Sequence, residues 1–407
     1  MPIPKLKIGL VTGEFPPMEG GVGAFTQELA IALHALGHDV SIFTSRLARP
    51  PDASRHWRDL RRPLPLPYAH LYPWARRWHW RDVAALADLT LAQELDVVDI
   101  QYQAAAYNMR HPAINLAPWR LKGLVPTVVT FHDLRVPYLF PKAGMLRRLA
   151  VNAMARYAHS VIVTNPADAA QVGPLNASVA AIPIGSNIAV HPSSPAAVAE
   201  LRCQLGLPPD ALLLGYFGFL NPSKGADTLL AALAQCPPQT HLVFIGGRTG
   251  DSDPVTNQAF LAHLDTLIAD LALSPRVHWT GFLPASAVST YLHAADLMVM
   301  PYRDGVSLRR GTLMAALAHG CPLITTEPDS PTPELVHQQN VWFVPPQNPA
   351  ALAAAIQTLA TNRDLAQRLG QAARQVADLF TWDKIAAQTA HFLYDTILRC
   401  RQAQRSQ

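Results

Sequence analysis

Three arginines and a serine that could hold an anion, Arg303, Ser307, Arg309 and Arg310, stand close together with Asp304 in the stretch Leu297 to Thr326, LMVMPYRDGVSLRRGTLMAALAHGCPLITT. They lie between an apolar run, Leu297 to Met300, and a small-residue segment of helical texture, Thr312 to Ala318. A loop that enters a helix adds to their charge, because the first N–H groups of a helix lack intrahelical acceptors and the helix dipole is positive there. The amides near Gly311 and Thr312 are therefore expected to join the side chains around a phosphate. A solvated surface loop is the plain alternative for any one of these arginines.

Three further places carry signals of the same kind. Gly218-Phe219-Leu220-Asn221-Pro222-Ser223-Lys224-Gly225 follows the apolar run Leu212 to Phe217 and precedes a helical segment, Ala226 to Leu233. A lysine at the mouth of a helix is the counter-charge that a departing diphosphate needs, which makes Lys224 the leading catalytic candidate, with Gly218 permitting close approach of the backbone. Gly20-Gly21-Val22-Gly23 opens a second amphipathic segment, Ala24 to Leu36, where Gly21 and Gly23 could face a phosphate or a sugar hydroxyl. Two prolines separate these glycines from the preceding strand, so the dinucleotide fingerprint is absent and a tight turn without ligand remains open. His132 follows the apolar run of PTVVTFHDL; at a strand end it either bonds a sugar hydroxyl, acts as acid or base, or simply packs.

Elements that could position these residues repeat along the chain. Apolar runs at 7–12, 38–44, 97–102, 126–134, 160–165 and 179–184 read as strands of a first sheet, and those at 212–217, 242–246, 276–281, 297–300, 323–325 and 341–344 as a second. Helical segments alternate with them, which is the grammar of parallel α/β sheets whose ligands sit at the carboxyl ends of the strands. Residues 188–200 are polar and proline-bearing, as a linker is expected to be. Residues 350–374 read as an alanine-rich helix pair and 380–399 as a terminal helix.

Composition agrees with two buried sheets. The 407 residues are 49% hydrophobic and 15% charged, and such a length calls for more than one core. A net charge of +4 suits anionic ligands but does not mark a nucleic-acid binder. Cys203, Cys236, Cys321 and Cys400 follow no metal or disulfide spacing, so a reduced, cytosolic compartment is expected. No apolar run of spanning length occurs. The segment Arg46 to Asp82 holds nine arginines and four tryptophans, Trp57, Trp74, Trp78 and Trp80. It is read as an irregular excursion packed by its tryptophans, with peripheral contact to an anionic membrane as the other reading. Asp251-Ser252-Asp253 resembles a metal-binding triplet but lies among turn residues, so a turn and no metal are expected.

With these residues in view, the chain resembles the retaining glycosyltransferases of family 4 over nearly its whole length. The matching pieces, in order, are GGVG with its helix and GHDVSIFT, TFHDL, IPIGSNI, GFLNPSKGADTLL, RVHWTGFLP, LAHGCPLI, PELV and FTWDKIA. The resemblance implies the GT-B fold, an α/β architecture of two facing Rossmann-like domains with parallel sheets and a deep interdomain cleft. Residues 1–187 would be the acceptor-side domain, 188–380 the nucleotide-sugar donor domain, and 381–407 a helix packing back toward the first. It also implies metal-independent transfer of a sugar from a nucleotide-diphosphate donor to a glycan, lipid-linked or small-molecule acceptor, without a cofactor or nucleic-acid partner, in cell-surface glycan biosynthesis.

Residue roles follow from the same resemblance. Lys224 would neutralise the departing diphosphate, His132 would contact the transferring sugar, and Gly21 and Gly23 would face donor phosphate or acceptor. Family members carry a basic residue where Phe219 stands and two glutamates where Ser307 and Ala315 stand. Arg309 or Arg310 is therefore expected to replace the missing cation, with Gly311 and Thr312 supplying amides and Ser307 a hydroxyl. The alternative implied by the lost glutamates is a catalytically impaired sugar- or nucleotide-binding partner in glycan assembly. A nucleotide-sugar epimerase or NAD enzyme is disfavoured by the absent dinucleotide fingerprint.

Overall fold

Aliphatic and β-branched runs bounded by glycine and proline form the central strands, because a parallel strand covered on both faces must be apolar along its length. In the computed structural model, which describes residues 3–49, 62–107, 112–134, 144–248 and 254–406, these strands build two sheets in two compact units. One unit is Met1–Ile184 with Trp382–Gln407, the other Gly185–Thr381. Trp57 and the Asp251-Ser252-Asp253 triplet lie outside the described residues.

In the first unit the elements are β1 (Lys7–Thr12), α1 (Gly21–Ala35), β2 (Asp39–Ser45), β3 (Leu64–Leu66), β4 (Ala69–Ala75), α2 (Trp80–Ala92), β5 (Val97–Tyr102), α3 (Ala117–Leu121), β6 (Thr127–Phe131), α4 (Gly144–Tyr157), β7 (Ser160–Val163), α5 (Pro166–Val172) and β8 (Val179–Ala181). The sheet order is β3-β4-β2-β1-β5-β6-β7-β8, parallel throughout except for the β3–β4 pair. Strand order reverses between β1 and β5, which is where open sheets of this kind present ligands. The arginine- and tryptophan-bearing excursion contributes β3 and β4 to the sheet edge rather than remaining irregular. Trp74 and Trp78 pack edge-on at 5.7 Å inside the core, whereas Trp80 is 51% exposed.

The second unit holds α6 (Pro195–Gln204), β9 (Leu212–Phe217), α7 (Ala226–Leu233), β10 (Thr240–Ile245), α8 (Pro254–Asp270), β11 (Val277–Trp279), α9 (Ala285–Ala294), β12 (Leu297–Met300), α10 (Gly311–Ala318), β13 (Leu323–Thr326), β14 (Trp342–Val344), α11 (Pro349–Thr361) and α12 (Arg363–Ala377). Its sheet, β11-β10-β9-β12-β13-β14, is wholly parallel. Here the reversal falls between β9 and β12. The stretch expected to be a linker, residues 188–200, runs instead into α6. Ser194 Oγ accepts the Ala197 N–H at 3.1 Å and Pro195 supplies a pre-set first turn, two local signals strong enough to start a helix in polar sequence.

The terminal helix α13 (Trp382–Arg405) belongs to the first unit. Trp382 meets Phe25 of α1 at 5.2 Å, and the Ser160 and Thr396 hydroxyls bond at 2.8 Å. Arg399 donates to both Ser160 and Ser178, so the helix is held by polar contacts as well as by its buried apolar stripe.

Candidate active site

In the second unit the loops after β9 and β12 rise from neighbouring strands, and two glycines let them touch. Gly225 has φ of 71°, and a Cβ there would stand 1.9 Å from the Pro301 carbonyl oxygen, so only glycine seats the Lys224 turn against the β12 loop. The Arg303 N–H donates to the Ser223 carbonyl at 2.9 Å across the same junction. Gly218, with φ of 122°, lies so near Thr312 that a Cβ would come within 2.8 Å of its methyl group. Three sequence-predicted residues, Lys224, Arg310 and Thr312, are thereby gathered around one side chain that the sequence reading left out, Tyr302, with Gly218 against Thr312.

Tyr302 is buried, and its hydroxyl stands 3.3 Å from Thr312 Oγ1. Burial raises its phenol pKa, so it stays neutral and its ring face is an electron-rich platform for cations. Lys224 Nζ lies 5.3 Å and the Arg310 guanidinium carbon 3.9 Å from the ring centroid. Arg310 is also paired with Asp304, and Arg303 is paired with Asp227. Arg310, expected among the phosphate ligands, is thus tied to the Asp304 carboxylate and laid over Tyr302, which braces the loop. Arg309 rests against Ser307, whose Oγ accepts from the Arg309 N–H and Nε–H at 3.4 Å. The first turn of α10 at Gly311 and Thr312 has neither a side-chain cap nor an acidic residue. Its amides and dipole thus point at the same loop as Lys224 and Arg309.

The glycine turn of the first unit is arranged differently. Glu14 Oε1 accepts the N–H groups of Val22 at 2.9 Å and Gly23 at 3.2 Å, so the start of α1 is capped by a carboxylate of the same chain. Gly20 leaves room for it, since a Cβ there would stand 2.1 Å from the Glu14 carboxyl. Gly23, expected to face a donor phosphate or the acceptor, gives its N–H to Glu14, so a carboxylate of the same chain meets this helix start. Gly21 is exposed, and a Cβ there would meet nothing within 4 Å.

His132 stands at the end of β6, with its N–H bonded to the Tyr102 carbonyl and its ring edge-on to Phe25 at 4.6 Å. Its Nε2 lies 3.0 Å from Gln101 Oε1. The Gln101 amide in turn donates to Asp99 at 2.7 Å, and Thr130 Oγ1 donates to Asp99 at 2.8 Å. Burial lowers the His132 pKa to about 3, so the ring is a neutral imidazole at physiological pH. The same burial lifts the Asp99 carboxyl to about 7.

Among the described residues no group of three or more His, Cys, Asp or Glu side chains stands ready for a metal ion, and no helix is long and apolar enough to cross a membrane. The four cysteines are unpaired with one another.

Two family profiles match the chain in succession: that of the glycosyl transferase 4-like domain over residues 20–185, and that of the glycosyl transferases group 1 over residues 198–376. The chain belongs to glycosyltransferase family 4.

This family-4 chain is 30% identical over 200 residues to a D-inositol 3-phosphate glycosyltransferase of Streptomyces bingchenggensis, an alignment spanning 47% of the chain and 42% of that protein. It thus spans less than half the length of that relative. It is 27% identical to the GDP-mannose-dependent alpha-(1-6)-phosphatidylinositol monomannoside mannosyltransferase of Mycobacterium tuberculosis, over 95% of the chain and 98% of that protein. Among solved structures, sucrose-phosphate synthase from Thermosynechococcus elongatus superposes with a TM-score of 0.74 at 24% identity, covering 97% of this chain and all of that one. The Anabaena protein Alr3699/HepE in complex with UDP and glucose gives 0.73 at 22% identity, over 96% and 100%. These likenesses establish the GT-B fold for the glycosyltransferase described here, with two Rossmann-like units of parallel sheet.

Sequence reasoning about this family-4 chain missed Tyr302, Glu14, Gln101 and Asp99. Only Gln101 and Asp99 left a trace, as polar residues at alternate positions of an otherwise apolar strand.

Proposed function

We propose that the protein is a retaining, metal-independent glycosyltransferase that uses a nucleoside-diphosphate sugar. The observation that carries this reading is the meeting of Lys224, Arg310 and Thr312, at the uncapped start of α10, around Tyr302 beside the strand-order reversal between β9 and β12. Two side-chain cations and a helix dipole supply the positive charge that a separating diphosphate requires. The bond from the anomeric carbon to the diphosphate oxygen breaks as the acceptor oxygen bonds that carbon. The leaving oxygen takes the acceptor proton on the same face of the sugar, so no protein nucleophile is needed.

The acceptor is a hydroxyl of a glycan, a lipid-linked glycan or a small molecule. A lipid-linked acceptor would bring the protein to the cytoplasmic face of a membrane, a location supported by the exposed Arg76, Arg77, Trp80 and Arg81. Calorimetry with UDP and GDP, followed by mass spectrometry of donor sugars incubated with enzyme, tests the assignment. Nucleotide binding with donor breakdown is expected; no binding of either nucleotide would end it.

A second reading has its own observation. Ala315 is fully buried and carries no group for a ribose diol, and the Ser307 hydroxyl is engaged by Arg309. Nucleotide binding without turnover would favour a sugar-nucleotide-binding partner over an enzyme.

A further inference from the structure

We propose that Gln101 is a positioning residue that fixes His132 as the Nε2–H tautomer, so that Nδ1 becomes the acceptor for a hydroxyl of the bound sugar. The proposal rests on the reading of His132 as a sugar contact and adds how that contact is made and what it selects.

The assignment follows from the donors and acceptors along a buried chain. Asp99 and Gln101 lie two apart on β5 and so share one face of the sheet, and Gln101 pairs in register with Thr130 of β6. Both polar side chains are fully buried. Groups of that kind persist in an apolar sheet only when each is hydrogen-bonded. An ionised Asp99 can only accept, and it accepts from Thr130 Oγ1 and from the Gln101 amide nitrogen. The Gln101 carbonyl oxygen must then face the other way, toward His132 Nε2 at 3.0 Å. An oxygen there accepts, so Nε2 carries the hydrogen and the neutral ring leaves its lone pair on Nδ1.

This arrangement has a consequence for ligand class. A neutral ring with an outward lone pair receives a hydroxyl hydrogen and offers nothing to a phosphate. Phe25, edge-on at 4.6 Å, limits rotation of the ring, so Gln101 settles the chemical identity of Nδ1 while Phe25 settles its direction.

The test uses full-length protein labelled with 15N-histidine, observed at pH 8 by NMR. Wild-type His132 is expected to show Nε2–H and a bare Nδ1. In Gln101→Leu the ring is expected to lose that fixed tautomer, with turnover of the donor lowered by up to about tenfold, the value of one lost ligand hydrogen bond. Asp99→Asn, of the same shape, carries an acceptor as well as a donor; its Oδ1 can still take the Gln101 amide hydrogen while its Nδ2 donates to Thr130 Oγ1, so His132 is expected to keep Nε2–H. A merely structural role for Gln101 predicts no change of tautomer in Gln101→Leu. An unchanged tautomer in Gln101→Leu overturns the proposal. A changed tautomer with unchanged turnover overturns the hydroxyl assignment. Wild-type protein without turnover of any donor sinks the preceding reading and leaves the tautomer result to be judged on its own.

Discussion

The guanidinium carbon of Arg310 stands 3.9 Å from the centre of the Tyr302 ring, while the same guanidinium is paired with Asp304. Its neighbour Arg309 leans instead on the Ser307 hydroxyl. Adjacent arginines therefore do different things, and substitution separates them. Arg310→Ala removes one charge partner of the part-buried Asp304 and strips one face of Tyr302, so a loss of roughly 1–2 kcal/mol in stability is expected. Arg309→Ala should weaken nucleoside diphosphate binding. Thermal unfolding and calorimetry on both variants check this. Unchanged nucleoside diphosphate binding in Arg309→Ala would sink the distinction.

Lys224 is placed by Gly225 and by the Tyr302 ring rather than by chance exposure. If its ammonium offsets charge on the leaving diphosphate, Lys224→Ala should reduce kcat by about 10²- to 10³-fold, the usual effect of removing one preorganised electrostatic contact. KM should move far less, because the charge it meets grows in the transition state. Steady-state kinetics with the best donor decides it. A change in KM alone would place Lys224 in ground-state binding.

The fold and half of the second-unit cradle are legible in the sequence for a physical reason. Apolar strand runs and glycine-bearing strand-to-helix loops are local patterns, so β9, β12, Lys224 and the start of α10 were all foreseen near their observed bounds. Pairing is not local. Nothing around Arg310 tells that Asp304 and Tyr302 would take its charge, and nothing in GGVG tells that Glu14, before a pair of prolines, would turn back onto Gly23. The α6 helix escaped because its cap, Ser194, sits among residues that also describe a linker. Burial of His132 beside Gln101 likewise depends on β5 lying next to β6, a register that spacing alone does not fix.

The Glu14 cap carries a prediction about anions. Because its carboxylate already accepts from Val22 and Gly23, wild-type protein should show no phosphate affinity at the start of α1. Glu14→Ala uncovers those N–H groups and removes a negative charge. It should lose about 1–2 kcal/mol of stability in dilute buffer, as other N-cap losses do, and regain part of that on addition of phosphate or sulfate. Chemical unfolding with and without each anion measures both effects. A variant indifferent to phosphate would mean that this helix start is closed by more than Glu14.

Asp99 sets the dependence of stability on pH. Its carboxyl is fully buried and burial, opposed by the hydrogen bonds from Thr130 and Gln101, raises its pKa from 3.8 to about 7. Between those values the folded chain holds a proton that the unfolded chain has released. Stability contributed by this site is therefore fully present below about pH 4 and is lost as pH rises toward 7. The slope is roughly 1.4 kcal/mol per pH unit at most, so the whole effect is of the order of 4 kcal/mol. Asp99→Asn removes the titration while keeping the shape. Subtracting its unfolding free energy from that of wild type at each pH isolates the site from every other group. The difference should swing against wild type from pH 4 to pH 8 and then level off. A flat difference would show that Asp99 ionises in the fold as readily as in water, and that its two hydrogen bonds fully offset its burial.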